Sequence, residues 1–197
     1  MPLDKPMSVN VALSMDVDEK PANEENIQTL TNIYRTMCLT GSNINEHLPT
    51  LVHYAKKCET ILELNAGECA SSCALMKGLS ENGRRAKIFT LCSEYDIEEG
   101  IIPLSDALNI RTTHCKIDSM KYRIQNLVDI VFINAVVGEI NVCDYLEKYG
   151  LCTRKYMMIH GTCDIAEFLS KYEGTWNLYE RYNNNNGLVI LERISGV

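Results

Sequence analysis

The segment LELNAGECASS, residues 62–72, lies where an apolar strand ends and a helix is predicted to begin. A turn in this position can bind a cofactor when glycines let the backbone approach the ligand closely. Only Gly67 remains here, with Asn65 and Cys69 two residues to either side. Asparagine tolerates a left-handed backbone, whereas Cys69 is predicted to bring a side chain where close approach is needed. The turn is therefore predicted to bind a ligand through its backbone. Asn65 is a mild departure from glycine, and Cys69 is an obstructive one.

Polar side chains also follow the other predicted strands, and ligands of open parallel sheets bind beyond the carboxyl ends of the strands. These strand ends are Glu63 to Gly67, Cys92 to Glu94, Asp118 with Ser119, Asn134 to Val137, and His160 to Thr162. Two interpretations stay open for them. Glu63 either caps its turn or touches a ligand, and His160 is either a structural histidine or a catalyst. His114 and Asp118 share a strand face and could pair, but a solvated contact is the default.

The elements that would position these residues alternate along the chain. Apolar runs predict strands at 60–64, 86–92, 110–117, 127–134 and 155–160, with helices at 70–80, 96–108, 141–149 and 164–172. The last two strands, WNLYERY and GLVILERI, are joined by NNNNG, which is a hairpin signal. This alternation predicts an α/β fold with a parallel sheet covered on both faces and an antiparallel hairpin at its end.

The chain divides into an arm and one domain. Residues 1–22 hold three of the five prolines and predict an extended or disordered N-terminal arm. Residues 23–197 predict a single domain, with a helical lead-in at 23–58 and an α/β core at 59–197. In the lead-in, Asn23 is the predicted cap of a first helix, and a second helix is predicted over 46–58.

Composition narrows the classes of function. The chain of 197 residues has a formal net charge of −7, and no window gathers the Lys/Arg cluster of a nucleic-acid groove, so nucleic acid is an unfavoured partner. The nine cysteines include no two CxxC pairs at zinc spacing, so no metal site is predicted. Reduced thiols indicate an intracellular, cytoplasmic location. The sequence shows no charged segment followed by an apolar one at its start, so no leader is predicted. It also has no apolar run of about 18 residues, so no membrane-spanning segment is predicted.

Several blocks carry a resemblance to a known family. They are SNINEHLPTLVHYAKKCETILEL, ASSCALMKGL, KIDS, VDIVFIN, MMIHGT and NNNNGLVILERI. Across residues 42–194 the chain resembles the Rossmann-like class I S-adenosylmethionine-dependent methyltransferases, and more closely a small methyltransferase-like family of bacteria and large DNA viruses. The resemblance implies a seven-stranded, mostly parallel sheet with strand order 3-2-1-4-5-7-6 and a C-terminal antiparallel hairpin.

The resemblance also implies where a cofactor and the chemistry would lie. The cofactor-binding positions are Glu63, Asn65, Gly67, Glu94, Asp118 and Ser119. Ser93 stands where the family's ribose-binding acid is expected, with Glu94 one residue later. The family's aspartate after the fourth strand matches Asn134, its nearby histidine matches Val137, and its His-Asp-Thr reads His160-Gly161-Thr162. These changes remove carboxylate ligands and a general base, so Asn134 and His160 are predicted to be vestigial.

Two hypotheses for the function remain, and a third is weaker. The first is a catalytically degenerate protein, binding no cofactor, that serves as a structural, assembly or interaction subunit. Its arm, residues 1–22, would contact a protein partner or a neighbouring copy, and the viral side of the resemblance implies a virion component of a large DNA virus. The second is an active, metal-independent methyltransferase that binds S-adenosylmethionine and acts on an unknown acceptor by proximity. The third is a protein that binds the cofactor or its product as a regulatory ligand.

Overall fold

The computed structural model describes residues 23–67, 69–92, 101–122, 124, 126–136 and 140–194. Within them lies a seven-stranded sheet of order β3-β2-β1-β4-β5-β7-β6, which confirms the predicted order. The arm at 1–22 and the candidate positions Ser93, Glu94 and Val137 lie outside the described residues.

The strands agree closely with the apolar runs. They are β1 Thr60–Leu64, β2 Ala86–Cys92, β3 Ile110–Lys116, β4 Val128–Asn134, β5 Thr153–His160, β6 Trp176–Tyr182 and β7 Leu188–Arg193. Strands β1 to β5 run parallel, and β7 is antiparallel to both β5 and β6. All seven residues of β4 are buried, as expected of a central strand with helices over both faces.

The helices are α1 Glu24–Leu39, α2 Leu48–Ala55, α3 Ala70–Glu81, α4 Ile101–Ala107, α5 Val142–Gly150 and α6 Ala166–Lys171. Asn23 caps α1 as predicted, because its side chain accepts a 3.0 Å hydrogen bond from the Glu25 N–H. The second lead-in helix is shorter than predicted. Asn45–His47 form a 3₁₀ turn before it, and α2 ends at Ala55, where the chain turns into β1.

The core has one layer on each face of the sheet. Helices α1 to α4 contribute to the first layer, and α5 and α6 to the second. Helices α2 and α3 approach closely at Gly78, where a Cβ atom would lie 2.5 Å from the Ala55 Cβ and 2.6 Å from the Val52 carbonyl oxygen. Any side chain at this position would push the two helices apart.

The amino end of the sheet is held by Asp129, which is 4% exposed. Its Oδ2 accepts hydrogen bonds from the N–H groups of Glu59 at 2.8 Å and Thr60 at 3.1 Å. Its Oδ1 lies 3.3 Å from Arg154 Nε and 3.5 Å from Lys155 Nζ. Burial opposes ionisation, but these donors and cations outweigh it and lower the pKa of Asp129. The carboxylate therefore joins β1, β4 and β5 at the end opposite the candidate site.

Burial raises the pKa of several thiols among the described residues. Eight cysteines there form no disulfide bond, and burial raises the pKa of both Cys58 and Cys73 to about 12. Such thiols stay protonated at neutral pH and behave as small apolar side chains. Within the same part of the chain, no helix combines the length and apolar character needed to cross a bilayer.

Candidate functional site

The turn after β1 keeps the backbone path of a glycine-rich loop although two of its glycines are replaced. Asn65 and Cys69 both take left-handed conformations, with φ of 57° and 61°. The Asn65 N–H donates to the Leu91 carbonyl at 2.8 Å, which fixes the turn against the end of β2. The Cys69 side chain is 5% exposed and belongs to the same buried cluster as Cys73. Cys69 is therefore a core residue, and the obstruction predicted for its side chain is not formed.

The side chain of Asn65 leaves a donor unsatisfied at this turn. Its Oδ1 accepts from Ser119 Oγ at 3.1 Å, and Ser119 Oγ also lies 2.9 Å from the Tyr145 hydroxyl. The Ser119 carbonyl accepts from Lys148 Nζ at 2.9 Å and from the Tyr149 hydroxyl at 2.5 Å. The Asn65 Nδ2 is buried and has no partner among the described residues. Orphaned buried donors are rare in folded proteins, whereas Ser119 has hydrogen-bond partners within the protein.

Glu63 lies inside the protein. It is fully buried, and its two carboxyl oxygens accept from Ser71 Oγ and Ser72 Oγ, both at 2.6 Å, and from Thr90 Oγ1 at 3.1 Å. Burial raises the pKa of Glu63, and the three hydroxyls only partly oppose this. The geometry therefore places Glu63 between the sheet and the first turn of α3, where it anchors the helix.

Asp118 lies at the surface after β3, and His114 lies within that strand. Asp118 Oδ1 accepts from the Met120 N–H at 2.9 Å, and its Oδ2 lies 3.6 Å from Lys121 Nζ. Both ring nitrogens of His114 are buried and lack a hydrogen-bond partner in the described part of the chain, and burial lowers the pKa of His114. The two residues do not pair, so Asp118 alone remains accessible to a ligand.

Asn134 and His160 meet at the ends of β4 and β5. His160 Nδ1 lies 3.1 Å from the Asn134 side-chain oxygen, and His160 Nε2 lies 2.7 Å from the Asn43 carbonyl and 3.3 Å from the Asn185 carbonyl. Carbonyls only accept, so Nε2 carries the proton. Burial lowers the pKa of His160, with the two carbonyls opposing this. In the neutral ring Nδ1 is an acceptor, and the amide of Asn134 satisfies it when its nitrogen faces the ring.

The loop between β6 and β7 closes over this histidine, in a set of contacts that the sequence did not predict. We name it the asparagine clasp, formed by residues 184–186 and residues 43–47. Asn184 Nδ2 donates to Glu46 Oε2 at 2.5 Å, Asn185 Nδ2 to Asn45 Oδ1 at 2.9 Å, and Asn186 Nδ2 to the Asn43 carbonyl at 3.4 Å; His47 Nε2 lies 3.0 Å from the Asn184 carbonyl. The available signal was a run of four asparagines, more than a tight hairpin turn needs.

Gly161 occupies the position at which the resemblance expects an aspartate. Its φ is +126°, and a Cβ atom there would lie 3.2 Å from the Ala135 Cβ and 3.3 Å from Val136 Cγ2. Its N–H donates to the Gly187 carbonyl at 3.0 Å. A side chain at this position would therefore be strained in its backbone and crowded by the turn after β4. Among the described residues, no group of three or more His, Cys, Asp or Glu side chains is placed to hold a metal ion.

The candidate site has two halves, the turn after β1 and the ends of β4 and β5, and they differ in the polar groups that they present. The turn after β1 fits a ligand held by the backbone, with left-handed Asn65 and Cys69 and the orphaned Asn65 amide. Among the described residues that end β4 and β5, at 134–136 and 160–162, none is a carboxylate, and the His160 ring is fully buried. Among the described residues at these two places, the unsatisfied polar group therefore lies at the turn after β1 and not at the ends of β4 and β5.

Solved structures share this architecture. The chain is similar to a methyltransferase from Geobacter sulfurreducens (TM-score 0.61, 15% identity, covering 89% of this chain and 91% of the other). It is also similar to an S-adenosylmethionine-dependent O-methyltransferase from Thermotoga maritima (0.57, 13%, 87% and 72%). A third is an O-methyltransferase from Bacillus cereus in complex with S-adenosylhomocysteine (0.53, 13%, 87% and 92%). No protein-family model and no curated protein matches the chain. The likeness shows the predicted class I methyltransferase fold.

Proposed function

We propose that this chain is a catalytically degenerate protein of the methyltransferase fold that acts as a structural, assembly or interaction subunit. The observation that carries the proposal is the state of His160. It is fully buried, and hydrogen bonds occupy both of its ring nitrogens. A general base must reach the proton that it removes, and among the described residues the ring nitrogens of His160 contact Asn134 and the asparagine clasp.

The backbone at Gly161 supports the same proposal. A lost carboxylate could be restored by one substitution if the main chain had kept its shape. Here the φ of +126° and the contacts with Ala135 and Val136 leave no relaxed position for a side chain. The backbone at Gly161 therefore opposes the return of the family's aspartate, whereas the turn after β1 and the sheet keep the geometry of the fold.

The proposal assigns the partner contact to the arm, residues 1–22. Val9, Val11, Leu13, Met15 and Val17 alternate with small or polar residues. This pattern suits an added strand or an extended ligand of a groove. We propose a reducing compartment, such as the cytoplasm, as the place where the protein is made, and a virion of a large DNA virus as the assembly that it enters. The resemblance supports the viral assignment.

The experiment for the degenerate site is an NMR measurement on histidine ring nitrogens, with exposed His53 as the control. We expect His160 to be a neutral ring protonated at Nε2 at pH 7, with signals that neither Mg²⁺ nor S-adenosylmethionine displaces. Displacement of the His160 signals by both additions, with His53 unchanged, would show that the strand ends still form a working site.

The alternative is a metal-independent methyltransferase, and the orphaned Nδ2 of Asn65 is the observation that favours it. S-adenosylmethionine would be held there by the turn after β1 and by Asp118, and it would supply an electrophilic methyl group. We expect weak binding or none, because Ser93 replaces the ribose-binding acid. Calorimetry that finds micromolar or tighter binding, about −8 kcal/mol or better, would favour the alternative. In that case Asn65→Ala should weaken binding about tenfold, whereas Asn177→Ala on the exposed side of β6 should not.

A further inference from the structure

Two buried histidines hold the loop between β6 and β7. His47 and His160 are 1% and 0% exposed, and their ring centroids lie 5.8 Å apart in an edge-to-face arrangement. Their Nε2 atoms approach the same carbonyl, that of Asn185, at 3.2 Å and 3.3 Å. His47 has a second acceptor in the Asn184 carbonyl, at 3.0 Å. His160 has one in the Asn43 carbonyl, at 2.7 Å. The asparagine clasp is therefore closed by two imidazole donors that converge on one loop.

This geometry suits neutral rings and opposes charged ones. Each Nε2 already carries the proton that it donates to the carbonyls, so a second proton has to enter the ring at Nδ1. Nδ1 of His160 lies 3.1 Å from the side-chain amide of Asn134. A positive charge there would be buried beside an amide rather than a carboxylate, and a second charge on His47 would repel it. Burial lowers the pKa of His160, the Asn43 and Asn185 carbonyls oppose this, and His47 adds to it.

The other titratable groups around the two histidines, among the described residues, bind different donors. The connection before α2 supplies Glu46, whose Oε2 accepts a hydrogen bond from the clasp. Strand β6 supplies Tyr182, whose ring lies 6.0 Å from that of His47. The Tyr182 hydroxyl donates to Glu180 Oε2 at 2.6 Å, and this bond raises the pKa of Tyr182. Strands β4 and β7 pair with His160 through an asparagine and a leucine. The two glutamates therefore bind an amide and a phenol, and the histidine rings titrate against neutral partners.

The conformation of the loop depends on these contacts. Asn185, Asn186 and Gly187 take left-handed conformations in succession, with φ of 46°, 66° and 85°. A left-handed backbone costs energy for residues other than glycine, although asparagine tolerates it. The loss of the histidine contacts would therefore let the loop move away from the strand ends. The Gly161 N–H donates to the Gly187 carbonyl at 3.0 Å, so this amide reports whether the loop lies over the end of β5.

We propose that His47 and His160 form a pH-sensitive switch, which keeps the asparagine clasp closed at neutral pH and releases the loop at 183–187 when the rings are protonated. In the open state the His160 ring is solvated, so it binds a proton more tightly there than in the closed state. The stability that the neutral ring gives to the closed state is complete above the ordinary pKa of histidine, about 6.5, and is lost as pH falls below it. The inference goes beyond the proposed function and agrees with it, because a protonated His160 is not a base.

The experiment is amide hydrogen exchange of the full chain at neutral pH and at about pH 5, with each rate divided by the intrinsic rate at that pH. We expect the protection of the Gly161 amide to fall on the order of tenfold in acid, while the amides of β4 keep theirs. His47→Gln and His160→Gln keep an N–H donor that cannot gain a charge, so in these variants the protection should not depend on pH. His114→Gln is the matched control. Its ring nitrogens are also buried and its pKa is also lowered by burial, but it lies outside the clasp, so the opening should persist.

Asn134→Asp tests the switch in the opposite direction. A carboxylate beside Nδ1 of His160 stabilises the protonated ring in the closed state, so the loss of protection should move to lower pH. A substitution that only weakens the fold would move it to higher pH. This variant also decides the question if the glutamine variants are already open at neutral pH.

Several results would overturn the switch. One is full protection of the Gly161 amide at about pH 5 in the unmodified chain, and another is an equal loss in β4, which would mean global unfolding. A loss that persists in acid in both glutamine variants, or that Asn134→Asp leaves at the same pH, would overturn it as well. None of these results alters the test of the proposed function, which is made at neutral pH.

Discussion

Substitution of Glu63 by glutamine separates a structural acid from a ligand-binding one. Each of its three partners is a hydroxyl, and a hydroxyl can either donate or accept. Glu63→Gln can therefore keep all three hydrogen bonds to Ser71, Ser72 and Thr90 while removing a buried carboxylate. Glu63→Leu removes the partner of three buried hydroxyls, at about 1–3 kcal/mol for each one left unpaired. We expect the leucine variant to lose about 3 kcal/mol or more and the glutamine variant to lose none at pH 8.

The pH dependence has a definite sign. The pKa of Glu63 in the folded protein is raised above its ordinary value, so its contribution to stability is complete below the unfolded pKa and is lost as pH rises through the folded pKa. A tenfold difference in proton affinity between the two states is worth about 1.4 kcal/mol. The free energy of unfolding of Glu63→Gln, relative to that of the unmodified protein, should therefore increase between pH 5 and pH 8.

The assay is urea unfolding followed by the fluorescence of Trp176, which is the single tryptophan and is 4% exposed. Comparing the two proteins at each pH cancels the titration of groups that both contain. If Glu63→Gln is less stable by more than about 2 kcal/mol at pH 8, and the deficit grows with pH, then Glu63 is ionised in the folded state and the reasoning is wrong.

Three further substitutions address the two ends of the sheet. Asp129→Ala should lower the free energy of unfolding by about 3–5 kcal/mol, because two N–H donors and two cations lose a buried partner; a loss below about 1 kcal/mol in urea unfolding contradicts this. Asn134→Asp places a carboxylate beside Nδ1 of His160, so NMR titration should show a higher pKa for that histidine, and the variant should still transfer no methyl group. An unchanged titration would mean that the two side chains are not in contact. Gly161→Ala should destabilise more than Gly83→Ala, since both glycines have positive φ but Gly83 has open space around it; equal melting temperatures would remove the crowding argument.

Local patterns were sufficient to predict the strands, whereas their order in the sheet was implied by the family resemblance. Strand β4 is buried throughout and is apolar apart from Asp129 and Asn134, because both of its faces are covered, and β1 ends where the predicted turn begins. Such signals are contained within a few neighbouring residues, so they can be read without knowing the rest of the fold. The second lead-in helix was predicted too long, because the 3₁₀ turn at Asn45–His47 depends on contacts with residues 184–186 far along the chain.

The candidate site was only partly predictable. Asparagine at position 65 was expected to accept a left-handed backbone and does so, but the burial of Cys69 could not be read from its position in the motif. The replacement of a carboxylate by Asn134 is visible in the sequence. The saturation of His160 is not, since its Nε2 partners are main-chain carbonyls at residues 43 and 185. Any residue type can supply a carbonyl, so sequence patterns carry no signal for such a bond.

The asparagine clasp also constrains the order in which the chain can fold. It joins residues 43–47 to residues 184–186, which lie in the connection between β6 and β7, the last two strands along the described chain. Contacts of such long sequence separation carry a large loop-closure cost and form late. During synthesis β1 to β5 can therefore assemble while Nε2 of His160 still lacks its Asn185 partner. We expect the nascent domain to remain soft at this pole until the hairpin emerges from the ribosome, so that closure over His160 is the last step of its maturation.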